Sequence, residues 1–542
     1  MPDNKKWTLM FYLASDNPLA PGVISQLKAI KAAGFHKQAN VIVQFDPYTE
    51  DTPTHVFDVN IVRKLKSVDG VDIGFRANDS FVHNLVEDKL WGNETDRHGK
   101  LIRDRLRKNF AAYNPPTPPN GGLNENGREP GPKKSLKNFL SFCATSYPAE
   151  HYILFLLGHG VVVGNDVFLF DEHGDEQTLT LGGLREVLDD FNKKIKKQKG
   201  ILEMVSFHSC SVSSLEVAFE LKDMARYMLA SQATTYIGSL PYRQILVRIF
   251  NSLQPDGAGV SIDAMLEDIF FYCLHNSKDF LLAGYPYDVC LTHLNGAVDE
   301  SKAAIDKLAG ALIKGMAKFK DAILLAHLKA QSFQNELYTD VIDFCSCLHH
   351  QIAETTVATA DEGVRTEILK ACKDVIFAIR NNIVRSSFAG PEYQYAKGLS
   401  IYFPWSTPSD FLMDRYAAYT FAKSGQKSWF DFLQAYFKAT MRDTIRDEMA
   451  NRKAGIDPST VTLVTNKEGQ PEELLEDQLA LVYTQAEGQA SPYALERPIK
   501  VDSTDPMGTC SCSSIKNYPR DTRRRRDRKI PKPFPVAQSF VE

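Results

Sequence analysis

The sequence predicts an α/β protein built on a largely parallel sheet covered by helices, and three observations predict it. Short runs rich in β-branched and aromatic residues alternate with amphipathic stretches through the N-terminal half, the pattern of repeated βαβ units. Apolar residues make up 43% and charged residues 24% of the chain, the composition of an ordinary globular protein. With 542 residues a large core is affordable, either in two or three compact units or in one elaborated domain.

The strands are expected at 7–14, 40–45, 55–59, 152–157, 201–207 and 227–231. The opening run follows two lysines, yet it alternates and ends at Asp16 without a small-residue cleavage site, so it reads as a first strand and not as a signal peptide. Between the first two strands, SQLKAIKAAGF has helical spacing and should end near Gly34. Residues from about 90 to 130 combine a basic helical piece with a Pro/Gly/Asn-rich run, the mark of an insertion. A catalytic-type core over 1–250 is therefore expected, interrupted by that insertion. From 251 to 440 helical spacing dominates, as in MLEDIFFYCL, AAIDKLAGALIKGMAKF and ILKACKDVIFAIRNNIV. GLSIYFP at 398–404 reads as one strand returning to the sheet. Residues 441–542 are polar and irregular and read as a regulatory or partner tail.

The formal charge of -4 gives no global attraction to nucleic acid or anionic lipid. The RRRR run at 523–526 reads as a solvated or targeting segment, so no nucleic-acid partner is expected. No stretch approaches the ~18 to 20 uninterrupted apolar residues of a membrane span, and a soluble, cytoplasmic chain is the expectation. The nine cysteines are odd in number and scattered, which favours free thiols over a disulfide framework. Cys345/Cys347 and Cys510/Cys512 are C-x-C pairs; even with His349 and His350 beside the first, neither supplies the second ligand pair of a zinc module. No metal site is predicted.

Open parallel sheets place their chemistry at the carboxyl ends of strands, and two such ends stand out. ILFLLGHG ends in Gly158, His159 and Gly160, and LEMVSFHSC ends in His208, Ser209 and Cys210. If those strands are neighbours, a thiol and an imidazole emerge on one rim. A thiol at neutral pH is only partly ionised; an adjacent imidazole favours the thiolate and can later protonate a leaving amine. The amides of Gly160 and Cys210 could together hold an oxyanion. Asp16, Asn17, His208 and Ser231, at or just past strand ends, are the candidates for a substrate pocket.

These motifs resemble the clostripain family of cysteine peptidases. The resemblance begins at WTLMFYLASDNPL, with Asp16 and Asn17, and continues through NVIVQFD. It is strongest in YPAEHYILFLLGHGVVVGNDVFLFDE and SCSVSSLEVAFELKDMARYMLASQATT, and returns at YTDVIDF, KGLSIYFPW and SWFDFLQAY. It implies a caspase-like three-layer α/β/α sandwich and a Cys/His dyad, with Cys210 attacking the scissile carbonyl and His159 moving the proton. It also implies an endopeptidase made as a zymogen and matured by cleavage between the two strands, an interval that holds FNKKIKKQKG (191–200); that lysine cluster, or else the Arg/Lys-containing insertion near 128–134, is the candidate activation site. Protein or peptide substrates and an upstream activating protease are the implied partners. No cofactor is required, although some relatives respond to calcium and DEHGDE at 171–176 is rich in carboxylates; that run lacks the complete EF-hand pattern. Family members usually carry an acidic residue two positions before the cysteine, lining a pocket for Arg or Lys at P1. Here His208 stands there, so a basic-side-chain pocket would need an acid from elsewhere, such as Asp16 or Asp46. Relatives in bacterial defence operons, including CRISPR-associated ones, supply an analogous setting. The rival readings are a catalytically restrained caspase-like scaffold and a thiol acyl transferase using the same nucleophile.

Overall fold

The computed structural model describes residues 5–46, 55–58 and 131–440, apart from residues 18, 35, 161–167, 170, 172–177, 254–260, 283–285, 335, 406 and 424–426. The insertion at about 90–130, the tail at 441–542, residues 172–176 of the acidic run, Cys510, Cys512 and the arginine run lie outside the described residues.

The described strands are β1 (Lys5–Leu13), β2 (Ala39–Phe45), β3 (His55–Asp58), β4 (Ala149–Leu157), β5 (Ile201–His208), β6 (Tyr227–Ala230), β7 (Tyr287–His293), β8 (Ser332–Phe333), β9 (Tyr338–Asp340), β10 (Ile383–Ala389) and β11 (Ser400–Tyr402). Eight of them form one sheet in the order β10-β7-β6-β5-β4-β1-β2-β3. The pairs from β2 through β6 are parallel, and antiparallel pairing occurs at β2/β3, β6/β7 and β7/β10. The predicted mostly parallel sheet is therefore present.

Strand β1 shows why. Every residue from Trp7 to Leu13 is buried. Leu9, Phe11 and Leu13 belong to one apolar cluster and Met10 and Tyr12 to the other, so a near-continuous apolar run is what a strand covered on both faces requires. Helices α1 (Ala20–Ala32), α2 (Pro132–Ser146), α3 (Leu181–Lys196), α4 (Leu215–Glu220), α5 (Tyr242–Ser252) and α6 (Ile262–Leu282) supply the covering layers. Residues of α1, α5 and α6 pack into one cluster, and residues of α2, α3 and α4 into the other. The result is a caspase-like three-layer α/β/α sandwich. Helix α1 stops before Gly34, whose φ of 77° is the left-handed conformation that ends a helix without a Cβ clash.

Past residue 250 the chain forms α7 (Gly296–Lys329), α8 (Val341–Glu354) and α9 (Glu362–Asn382), in keeping with the helical spacing there. Two expectations need correction. The segment 398–404 does form a strand, β11, but it pairs with β9 in a separate three-stranded sheet; among the described residues, an isolated parallel bridge joins its Ser400 to Ser214, past the end of β5. The strand that does return to the main sheet is β10. Together with β7 it completes that sheet's far edge, so the sheet extends beyond the expected core boundary at 250. No described helix is long and apolar enough to cross a membrane.

Candidate active site

The register of the sheet brings several chain segments to one rim. Leu13 pairs with both Phe45 and Leu157, Leu157 with His208, and Ser206 with Leu229. The residues that follow these strands, 14–17, 46, 158–160, 209–214 and 231–235, therefore leave the sheet side by side. Backbone bonds carry the alignment past the strand ends: the Ala14 amide donates to the Leu157 carbonyl at 2.8 Å and the Gly158 amide to the His208 carbonyl at 3.4 Å.

His159 and Cys210 each lie two residues beyond a paired position, Leu157 and His208. Their connection is close at the backbone. A Cβ placed on Gly160 would stand 2.6 Å from the carbonyl carbon and 2.7 Å from the nitrogen of Cys210, and closer still to its carbonyl oxygen. Only glycine allows that approach. Both candidate catalytic side chains are buried, Cys210 at 0% and His159 at 3% exposure. The Cys210 thiol sits in the cluster formed with α1, α5 and α6.

Thr235, in the loop after β6, engages the sulfur. The Thr235 amide donates to Cys210 Sγ at 3.4 Å, and the thiol faces the Thr235 carbonyl at 3.8 Å. Thr235 Oγ1 also donates to the Ser209 carbonyl at 3.1 Å. Next to the cysteine, Ser211 adopts φ 55°, a left-handed conformation costing a non-glycine residue about 1 kcal/mol. It is held there by its amide, which donates to the Ala233 carbonyl at 3.1 Å, while the Ser213 amide donates to the Ser231 carbonyl at 2.9 Å. On its other side the segment that carries Cys210 meets the strand formed by 398–404: Ser213 Oγ donates to the Gly398 carbonyl at 2.6 Å, and the Ser400 amide to the Ser213 carbonyl at 3.0 Å. The hydroxyls of Ser209 and Ser211 are buried without a hydrogen-bond partner among the described residues.

The pocket candidates take different places. Asn17 forms a turn, its amide donating to the Ala14 carbonyl and its carbonyl oxygen accepting from the Leu19 amide, which shapes the entry into α1. Asp16 is buried on the same rim. Ser231 donates to Asp288 at 2.6 Å and so is tied to β7. His208 lies behind the rim, with Nε2 2.6 Å from the Tyr236 carbonyl and Nδ1 2.9 Å from the Tyr242 hydroxyl. A carbonyl only accepts, so Nε2 donates to Tyr236, while Nδ1 pairs with the Tyr242 hydroxyl. His208 thus pins the 236–242 segment to β5. Of the predicted activation stretches, 191–196 is the ordered end of α3 and 132–134 the start of α2.

Sequence reading missed Thr235, Asp288 and Tyr242. Asp288 lies well beyond the His and Cys motifs along the chain and Tyr242 just past the second, while Thr235 closes the stretch 209–235 that opens with Ser209 and Cys210; for Thr235 the one available signal was its place just past a strand.

A doubly covered sheet that carries the His159 and Cys210 segments side by side to its carboxyl rim is the arrangement expected of a thiol peptidase. The chain belongs to the clostripain family, whose model matches residues 124–437, and it is a cysteine-type peptidase. Among solved structures it is similar to a secreted C11 cysteine protease from Bacteroides thetaiotaomicron in complex with an irreversible peptide inhibitor, at 13% identity and TM-score 0.45 over 80% of this chain and 99% of that one. It is also similar to an inactive zymogen C11 protease from Parabacteroides distasonis, at 16% identity and TM-score 0.45 over 78% of this chain and 99% of that one. No curated protein matches it.

Proposed function

We propose that this peptidase is an endopeptidase in which Cys210 attacks the carbonyl carbon of a peptide bond and His159 takes the thiol proton, then delivers it to the leaving amine. The single observation that carries this reading is the in-step exit of β4 and β5 with the Gly160 backbone against that of Cys210. A tetrahedral oxyanion would be met by the amides of Gly160 and Cys210, an electrostatic contribution of the kind worth roughly 3 kcal/mol per donor. The protein is restrained in this conformation: a thiol at 0% exposure capped by the Thr235 backbone admits no peptide, so opening must precede turnover. That fits synthesis as a zymogen activated by cleavage.

Preference for Arg or Lys at P1 then rests on Asp16 or Asp46, both buried at the same rim, because His208 spends both ring nitrogens on Tyr236 and Tyr242. Fluorogenic peptides ending in Arg, Lys or Asp, assayed before and after limited proteolysis, test the proposal. Turnover that appears on cleavage and vanishes in Cys210→Ala is expected. Cleaved, folded protein that binds peptides without hydrolysing them would favour a restrained scaffold instead.

A further inference from the structure

We propose that Asp288, on β7, is a positioning residue for the nucleophile: it holds the loop after β6 so that the Thr235 amide stays aimed at the Cys210 sulfur. The inference rests on the reading of Cys210 as nucleophile. Asp288 is 1% exposed, and its carboxylate gathers three donors from consecutive loop residues. Ser231 Oγ donates to Oδ1 at 2.6 Å, the Gln232 amide to Oδ2 at 2.8 Å and the Ala233 amide to Oδ1 at 3.0 Å. The carbonyls of the same stretch face the other way, Ser231 accepting from the Ser213 amide and Ala233 from the Ser211 amide. One carboxylate therefore fixes both the loop and the segment that carries Cys210.

A second buried carboxylate braces the far side. Asp340 accepts from the Gln232 side-chain amide at 3.0 Å and from the Lys397 amide at 2.6 Å, while Gln232 Oε1 accepts from the Gly398 amide at 2.8 Å. Two residues past Ala233 comes Thr235. In the resting thiol its carbonyl faces the S–H; when the proton passes to the imidazole of His159, its amide remains to donate to the sulfur anion. A hydrogen bond to the charged form favours that form. Burial pushes the Asp288 carboxyl up to about 6 against the pull of its donors, so at neutral pH it is mostly the anion that three donors require.

The test reads the thiolate itself. The ultraviolet thiolate absorbance of Cys210 is obtained across pH as the difference between the full chain and its Cys210→Ala variant, in the wild-type and Asp288→Asn backgrounds. His159, His208, Asp16 and Asp46, the other ionisable groups of this rim, and Asp340 on the far side of the loop are unaltered throughout. Asparagine turns an N–H toward the loop amides and so releases the loop; the Cys210 midpoint is expected to rise by about one unit, roughly tenfold less thiolate below it, with a comparable fall in kcat. Direct removal of a nearby negative charge would act oppositely and lower the midpoint. A lowered or unchanged midpoint in folded Asp288→Asn overturns the proposal. If that variant does not fold, Ser231→Ala removes one of the three donors and must shift the midpoint upward by a smaller amount; no shift there is equally fatal. Failure of the underlying reading shows separately, as peptidase activity that survives in Cys210→Ala.

Discussion

Replacing Gly160 by alanine places one methyl group against the backbone of the proposed nucleophile. The added carbon would stand 2.6 Å from the Cys210 carbonyl carbon and 2.7 Å from its nitrogen, where real Cβ contacts are essentially never under 3.0 Å. The carbon contact alone must open by at least 0.4 Å, the difference between 3.0 and 2.6, and the oxygen contact by more. No flexible side chain can absorb this, because every atom met is main chain. Overpacking of that kind typically costs about 1–3 kcal/mol. Displacing catalytic groups by about 1 Å can lower activity by roughly 100-fold. Urea unfolding together with kcat/KM for a peptide substrate gives both numbers. Gly182→Ala is the control: a Cβ there meets nothing within 4 Å, and in α3 it should stabilise by up to about 1 kcal/mol. A Gly160→Ala protein as stable and active as wild type would refute the close backbone approach on which the site reading depends.

Tyr242→Phe keeps the ring edge-on against the stacked Phe11 and Phe155 but removes the hydroxyl that pairs with the buried Nδ1 of His208; a loss of about 1–3 kcal/mol is expected by urea unfolding, and a change below a few tenths would show the bond to be unimportant. Burial raises Asp288 to about 6 and Asp340 to about 7, above the ordinary 3.8. Protonation is thus favoured by the folded state: the stabilisation is fully present below about pH 4 and is lost as pH rises through 6 to 7, by roughly 3–4 kcal/mol for each group. Because pH 5 already lies above the ordinary 3.8, the stability difference between pH 5 and pH 8 should shift by about 2.5 kcal/mol in Asp340→Asn relative to wild type, and an unchanged difference would contradict it. Asp288→Asn should act in the same sense.

The central strands were legible because burial on both faces writes itself as short apolar runs; the observed β4 and β5 begin and end within a few residues of where those runs do. The edge was not. In β7, Tyr287, Asp288, Cys290, Thr292 and His293 break the apolar run, since Asp288 serves the loop beside it and the strand lies near the sheet's margin. Strand β10 was hidden for a different reason: IVRSSFA follows α9 without a turn signal, and its first apolar residues continue the helical spacing of ILKACKDVIFAIRNNIV. The strand at 398–404 was readable as a strand, but its partner was not, because β11 pairs with β9 across α8, α9 and β10, which separate the two along the chain. The same limit applies to the site. His159 and Cys210 follow apolar runs and were visible, whereas Thr235 meets the sulfur, and Asp288 the loop that holds Thr235, only through the packing of neighbouring strands.

The most direct test of the central claim is a peptidyl electrophile reacted with the cleaved protein, followed by peptide mapping of the adduct by mass spectrometry. The account predicts modification at Cys210, absent in Cys210→Ala and slowed by about 100-fold or more in His159→Ala, the size of a lost proton-transfer partner. An adduct on another residue, or an undiminished rate without His159, would contradict it.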